Sequence, residues 1–431
     1  MTTYSGHNTT GSFLHIAFSP YSPLTTVSPN MTTEPTQGSE GPNCTAKYIP
    51  GVLSESAAIG LESFSSSYGH YHGYVSAIVC FFGMMANIAN IIVLTRKNMI
   101  SSTNTILMWL AVADLLTMMS YFPFAIHFYI LRDPQLPMFH TLYHGWIWFL
   151  MFHANFSIVC HTVAIWLTIA LAIFRYIYIC MPTRGMVYCS LRRAKITIFV
   201  VYFLTFIICI PNYVINRIHE MTREKMHMTY GIPMPEAGNG TGNHTQDLVY
   251  SPYQWRESEV AEVILQINNW IQAIFIKLIP CVMLMTLTIL LVHAMHKAYR
   301  KRMRLKSEGR KAESDKHGEH NRTTGMLLAV VALFMITELP QGLLSLMNIF
   351  IPCFQDMVYN RLGDLLDIMA LLNNSINFVL YCTMSKQFRD TFMEVFCKVC
   401  TKNKPGWLKL KVVSSTNGNS RSSETTNHTH V

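Results

Sequence analysis

Residues 145–174 read GWIWFLMFHANFSIVCHTVAIWLTIALAIF, thirty positions without Asp, Glu, Lys or Arg, and Arg175-Tyr176 closes them. As a helix, this stretch is long enough to cross a hydrocarbon core about 30 Å thick, where an open chain must satisfy its own backbone by being helical. Six further stretches have the same character: 73–95, 105–131, 196–215, 263–294, 325–350 and 362–384. The predicted fold is all-α, a seven-transmembrane helix bundle.

Composition agrees. With 50% hydrophobic and 13% charged residues in 431, and a mean hydropathy of +0.25, the apolar surface exceeds what a soluble core of ordinary shape can bury. The net charge of +9 could point to nucleic acid, but Lys and Arg gather between alternate spans, which argues against that partner. Arg96 and Lys97 follow the first span, Arg192, Arg193 and Lys195 precede the fourth, a run from Lys297 to Lys311 follows the fifth, and Lys386 and Arg389 follow the seventh. The positive-inside bias makes those segments cytoplasmic and the N-terminus extracellular, in a multi-pass protein of the plasma membrane.

Glycosylation sequons fall on the side expected to be external, at Asn8, Asn30 and Asn43 before the first span and at Asn239 and Asn243 after the fourth. The opening residues carry neither a basic n-region nor a clear apolar h-region, so the first span is expected to act as its own insertion signal. The organisation read from these features is an extracellular glycosylated arm over 1–72, disordered to about Ser67, a membrane domain over 73–384, an amphipathic helix over 385–400, and a disordered cytoplasmic tail over 401–431. In the amphipathic helix Phe388, Phe392, Val395 and Phe396 follow helical spacing beside basic residues, as an interfacial helix requires. Cys397 and Cys400 at its end are either palmitoylation sites or free thiols.

Polar residues within spans are either functional or satisfied inside the bundle. They fall in a joint pattern: Asn87 in the first span, Leu110-Ala111-Val112-Ala113-Asp114 in the second, Phe174-Arg175-Tyr176 closing the third, Pro280 in the fifth, Pro340 in the sixth, and Asn377 four residues before Tyr381 in the seventh. Across all seven spans this pattern resembles the rhodopsin-like G-protein-coupled receptors. The resemblance implies that Asp114, Asn87, Asn373 and Asn377 form the polar cluster that holds an allosteric sodium ion in many such receptors. It implies Arg175 and Tyr381 as the cytoplasmic switch, with a heterotrimeric G protein, arrestin, receptor kinases and membrane lipid as partners.

Closer in, Tyr68-Gly69-His70-Tyr71-His72-Gly73-Tyr74, Ile276-Lys277-Leu278-Ile279-Pro280-Cys281, Thr337-Glu338-Leu339-Pro340-Gln341-Gly342 and Asn374-Ser375-Ile376-Asn377-Phe378 are similar to the insect myosuppressin (FLRFamide) receptors and related invertebrate neuropeptide receptors. Glu338 stands where most of the wider class has Trp, and Phe378 where most have Pro. Phe174 replaces the acidic residue before Arg175, which removes an inactive-state ion pair and leaves basal activity to be restrained by other contacts.

Glu338, Asp364 and Asp367 put three carboxylates in the outer halves of the sixth and seventh spans, which suits a cationic ligand. Asp364 and Asp367 share a helix face, as do Glu338 and Gln341. A peptide ending in Arg-Phe-amide offers a guanidinium that a carboxylate can hold bidentately and a ring for an apolar pocket. Lys277, near the depth of Glu338, is expected to pair with it, leaving the ligand's Arg to Asp367. Asp364 is either a further ligand contact or an exposed loop-end carboxylate. His153, Ser157 and His161 align on one face of the third span as a metal site, a pH sensor or hydrogen-bonded bundle residues.

Most receptors of the class join the third span to the second external loop by a disulfide, yet residues 216–262 contain no Cys. Of 11 cysteines, Cys44 and Cys353 lie in segments expected to be external, where they either pair with each other or remain free or intermolecular thiols. The function this implies is a G-protein-coupled receptor for an amidated neuropeptide of the myosuppressin/FLRFamide type, acting through Gi/o. Alternatives are a receptor for another RFamide-like or myoinhibitory-type peptide, or a seven-span transporter or channel. No nucleophile–base constellation or phosphate-binding loop suggests an enzyme.

Overall fold

A computed structural model describes residues 49, 52–132, 144–181, 185, 187–222, 248–254, 258–307, 331–333, 335–351 and 353–397. Seven helices in it are long and apolar enough to cross a membrane: α1 (Glu55–Leu94), α2 (Ser102–Ile130), α3 (Gly145–Cys180), α4 (Leu191–Ile215), α5 (Glu259–Ala294), α6 (Val331–Phe350) and α7 (Met357–Thr383). Between α4 and α5 an antiparallel hairpin pairs β1 (Asn216–Thr222) with β2 (Leu248–Gln254), in register from Asn216↔Gln254 to Thr222↔Leu248. The short α8 (Lys386–Phe392) follows α7 and runs on through a π-helical turn to Cys397. The two faces of the bundle are called here the hairpin end and the tail end.

Serine hydroxyls cap four helix starts. Ser54, Ser101, Ser258 and Ser385 each accept from the backbone N–H three residues on, at 3.3, 3.1, 3.2 and 3.2 Å. Ser54 matters most, because α1 begins 18 residues before the span read from hydropathy; the segment 55–72, expected as part of an irregular arm, is helical. Its buried residues continue those of the span, Ser65, Gly69, His72, Gly73 and Ser76 leading into Cys80, Gly83, Asn87 and Asn90. Small and polar residues therefore face the bundle while Tyr71, Tyr74, Ile78 and Phe82 face outward, the arrangement expected when lipid replaces water outside.

In the bundle α1 packs on α2 and α7, α2 on α3 and α4, and α3 on α4 and α5. The close approach of α1 and α2 needs Gly73, since a Cβ there would fall 2.5 Å from Tyr129 Cβ. Near the hairpin end the core is aromatic, with Tyr121, Phe124, Phe128 and Ile147 buried beside Leu371. Three π-helical turns widen helices there: Ile126–Ile130 in α2, Ile271–Leu278 in α5, and Gln355–Tyr359 at the start of α7. Turns of this kind re-aim side chains and recur at functional sites. Asn8, Asn30, Asn43, Asn239, Asn243, Cys44 and Cys400, the side chain of Cys397, and the tail beyond it lie outside the described residues.

Candidate functional site

Lys277, Glu338, Asp364 and Asp367 fall into two sets. One is a knot around Lys277, at the end of the α5 π-helical turn. Its ammonium donates to Glu338 Oε2 at 2.7 Å and to Gln341 Oε1 at 2.6 Å, and lies 3.2 Å from His161 Nε2. These are the three hydrogen bonds an ammonium can give. Glu338 is sealed, with 1% of its side chain exposed, and His161 Nε2 lies 3.2 Å from it. The imidazole can accept from Lys277 or donate to Glu338, but Nε2 cannot do both. Gln341 Nε2 in turn donates to the Leu366 carbonyl at 2.9 Å, so one knot joins α3, α5, α6 and α7. Gly342 lets α6 come this close, because a Cβ there would meet Lys277 Cβ at 3.3 Å.

The second set joins α1, α2 and α7 at the hairpin end. Tyr129 Oη donates to Asp364 Oδ1 at 2.8 Å, and Tyr121 Oη to Asp367 Oδ2 at 3.2 Å. Tyr121 Oη lies 3.0 Å from His72 Nε2; since its proton goes to Asp367, the network assigns His72 as the donor. Asp364 is not the exposed loop-end carboxylate that its position in the chain allows: 3% is accessible, because Tyr129 and the π-helical turn of α2 close over it. Its Oδ2 and His72 Nδ1 are buried without a hydrogen-bond partner. Next to them His153 is enclosed by rings, stacked on Phe124 at 4.5 Å and edge-on to Tyr121 at 5.4 Å. The three aligned residues of α3 thus part company: His161 enters the knot, His153 the aromatic core, and Ser157 Oγ donates to the Ala154 carbonyl at 3.5 Å. No group of three His, Cys, Asp or Glu among the described residues could hold a metal ion.

Deeper, a small cavity is lined by Asp114, Asn373, Asn374, Asn377, Thr168 and His161, among others. Asn377 Nδ2 donates to Asp114 Oδ2 at 3.0 Å. Asn87 serves a neighbouring network, donating at 3.0 Å to both the Gly83 and Asn374 carbonyls, while its own oxygen is buried without a partner. At the tail end Arg175 is half-buried and holds no ion pair among the described residues, and the thiol of Cys189 donates to the Phe174 carbonyl at 3.3 Å. Tyr381 is buried with its ring 5.6 Å from that of Phe388 on α8.

One feature escaped sequence reading. A chain of amides crosses α3, α4 and α5: Asn212 and Asn216 donate to Asn155 Oδ1 at 2.8 and 3.3 Å, while Asn212 Oδ1 accepts from Gln272 at 3.1 Å and Asn268 at 3.4 Å. The i,i+4 spacing of Asn212 with Asn216, and of Asn268 with Gln272, was the available signal. Of the two sequence readings of Cys353, the disulfide holds; the partner expected for it, Cys44, lies outside the described residues.

Comparison with known proteins agrees with the geometry. The Drosophila melanogaster sex peptide receptor is 28% identical over 359 residues, covering 82% of this chain and 79% of that protein. The Caenorhabditis elegans G-protein coupled receptor dmsr-1 is 28% identical over 379 residues, with 78% and 70% covered. The Drosophila melanogaster FMRFamide receptor is 26% identical over 363 residues, with 80% and 57% covered. Residues 74–399 match the model of the serpentine type 7TM GPCR chemoreceptor Srw, which leaves the transporter or channel reading without support. Matched over well more than half its length, with seven membrane-length helices in place, the chain belongs to the serpentine seven-transmembrane G-protein-coupled receptors, of the Srw type.

Proposed function

We propose that this protein is a plasma-membrane receptor for an amidated neuropeptide ending in Arg-Phe, with its hairpin end outside and a heterotrimeric G protein, of the Gi/o class, engaged by Arg175 at the tail end. The observation that carries the ligand class is the acidic set of α7. Asp364 and Asp367 stand one helical turn apart, each held by a tyrosine hydroxyl from α2, and Asp364 keeps a buried oxygen without a donor. A guanidinium supplies the donors such a pair can take. Glu338 also keeps a buried oxygen without a partner, but Lys277, itself held by Gln341, already engages it and neutralises its charge, so Asp367 and Asp364 are the residues assigned to the ligand's Arg. Relatives named for sex peptide and for FMRFamide support a neuropeptide ligand; within that class we choose the myosuppressin/FLRFamide type, with sex-peptide-like, other RFamide and myoinhibitory peptides as the alternative set.

Asp114, Asn373 and Thr168 offer the oxygen donors of a sodium site, and Asn87 braces it through the Asn374 carbonyl. We assign glycans to the five sequons, palmitate to Cys397 and Cys400, and arrestin and receptor-kinase docking to the tail.

The test is a panel of amidated peptides applied to transfected cells, read as GTPγS binding. An Arg-Phe-amide peptide should activate, and replacing its Arg by citrulline should cost wild-type potency about 30-fold or more, as loss of a charge-assisted bond in a desolvated site does. In Asp367→Asn the same replacement should cost little further. Equal losses from the citrulline peptide in both receptors would reject Asp367 as the Arg partner, and silence across the panel would reject the ligand class.

A further inference from the structure

We propose that the Lys277–Glu338–His161–Gln341 knot is the latch that holds this receptor at rest, and that Gln341 is the positioning residue through which α7 releases it. The family's ion pair beside Arg175 is missing, with Phe174 in the acidic position and no ion pair on Arg175 among the described residues. Restraint of α6 must come from elsewhere, and the knot has the required form. It ties α6 to α3, α5 and α7 at one level, on both sides of Pro340, where α6 loses a backbone hydrogen bond and can hinge. It forms without any ligand atom, since Lys277 is surrounded by Glu338, Gln341 and His161 and Glu338 is 1% exposed, its Oε1 buried without a hydrogen-bond partner. A sealed ion pair contributes little net stability over an apolar pair, but it is costly to open halfway, which makes the closed state discrete.

The knot reaches both other polar sites by direct contact. Gln341 holds the carbonyl of Leu366, the residue next to Asp367, so a ligand pulling on Asp367 displaces the atom that Gln341 grips. On the inner side His161 also lines the cavity of Asp114 and Asn377. Its Nε2 faces Lys277 and Glu338 at equal distances of 3.2 Å, so a small movement of either exchanges its hydrogen-bond role. The link through Asp367 rests on the ligand reading above; the latch itself does not.

The test therefore uses no peptide. Surface-normalised basal GTPγS binding is measured across a panel of G proteins for Gln341→Leu, which keeps the ion pair, and for K277M/E338Q, which removes both charges so that neither is stranded. A second readout is the spin-label distance between the inner ends of α3 and α6, which needs neither peptide nor G protein. Gln341→Leu should raise basal exchange about five-fold, the effect of one hydrogen bond on a two-state balance, with K277M/E338Q higher still and both distances longer. If either variant reaches the surface with wild-type exchange and an unchanged distance, the latch is overturned. Longer distances with flat exchange would uphold the latch and count against the G-protein reading instead. Should K277M/E338Q fail to reach the surface, Gln341→Leu alone decides, with Gln341→Glu, which retains the acceptor for Lys277 but not the donor to Leu366, expected between it and wild type.

Discussion

Asp364 lies seven residues into α7, yet its carboxylate is among the least accessible of the molecule because Tyr129 and Gly73 bring α2 and α1 over it. Its charge depends on that one hydroxyl on the Oδ1 side, so Tyr129→Phe should lower the stability of solubilised receptor by about 1.5–3 kcal/mol, the worth of a hydrogen bond to a charged group. Adding Asp364→Asn should recover part of the loss, since an amide tolerates the apolar neighbour better than a carboxylate; thermal melting of the single and double variants measures this. An additive double variant would show that the hydroxyl and the carboxylate act independently. The pairing of Lys277 with Glu338 was legible in the sequence because two opposite charges at one depth of a membrane have few alternatives to each other. The place of His161 was not, because its i,i+8 alignment with His153 fixes only the face they share. Eight residues separate them by about 12 Å along the helix axis, enough to put one among aromatic rings and the other among charges.

Elements were legible to the extent that lipid dictates them. All seven spans follow from apolar length, but hydropathy stops where the membrane does, so it missed the helical extension of α1 at Glu55–His72, which is set by the Ser54 cap and by packing. The hairpin likewise carries weak signal, with Pro252 opposite Ile218 in a two-stranded ribbon. Residues 216–262, between α4 and α5, offer no Cys for the disulfide that the resemblance implies between the third span and the second external loop; there the Asn155–Asn212–Gln272 amides bind α3, α4 and α5. Replacing Asn212 by Leu removes a donor to Asn155 and the acceptor of Gln272 and Asn268, leaving buried amides unpaired at about 1–3 kcal/mol. The expected outcome is lower surface expression and an earlier thermal transition, with Asn155→Leu no worse when combined with it. If Asn212→Leu melts with wild type, the amides are incidental to the bundle.

At the scale of the whole molecule, Ile49 and residues 52–72, ahead of the first span read from hydropathy, are built into the bundle. Ile49 packs with Phe354, Met357 and Val358, Leu53 and Leu61 lie against the same cluster, Glu62 pairs with Arg361 at 3.0 Å, and Cys353 is disulfide-bonded. Together these make the start of α1 a wall beside the acidic set of α7, and magnitudes rank its fastenings. The Glu62–Arg361 pair is exposed, with 49% of the Glu62 side chain accessible, so screening leaves it worth a few tenths of a kcal/mol. With Cys44 as the partner expected from sequence, the Cys353 disulfide would close a long loop and contribute more, typically 2–4 kcal/mol. Glu62→Ala should therefore leave agonist potency within about two-fold of wild type. Cys353→Ser should lower it several-fold, and a mild reductant applied to wild-type cells should reproduce the loss without worsening the variant. Leu61→Asp, which puts a charge into the packed cluster, should resemble Cys353→Ser in potency while remaining insensitive to reductant. If Glu62→Ala is as damaging as Cys353→Ser, the wall is held by charge rather than by covalent closure and packing, and the ranking is wrong.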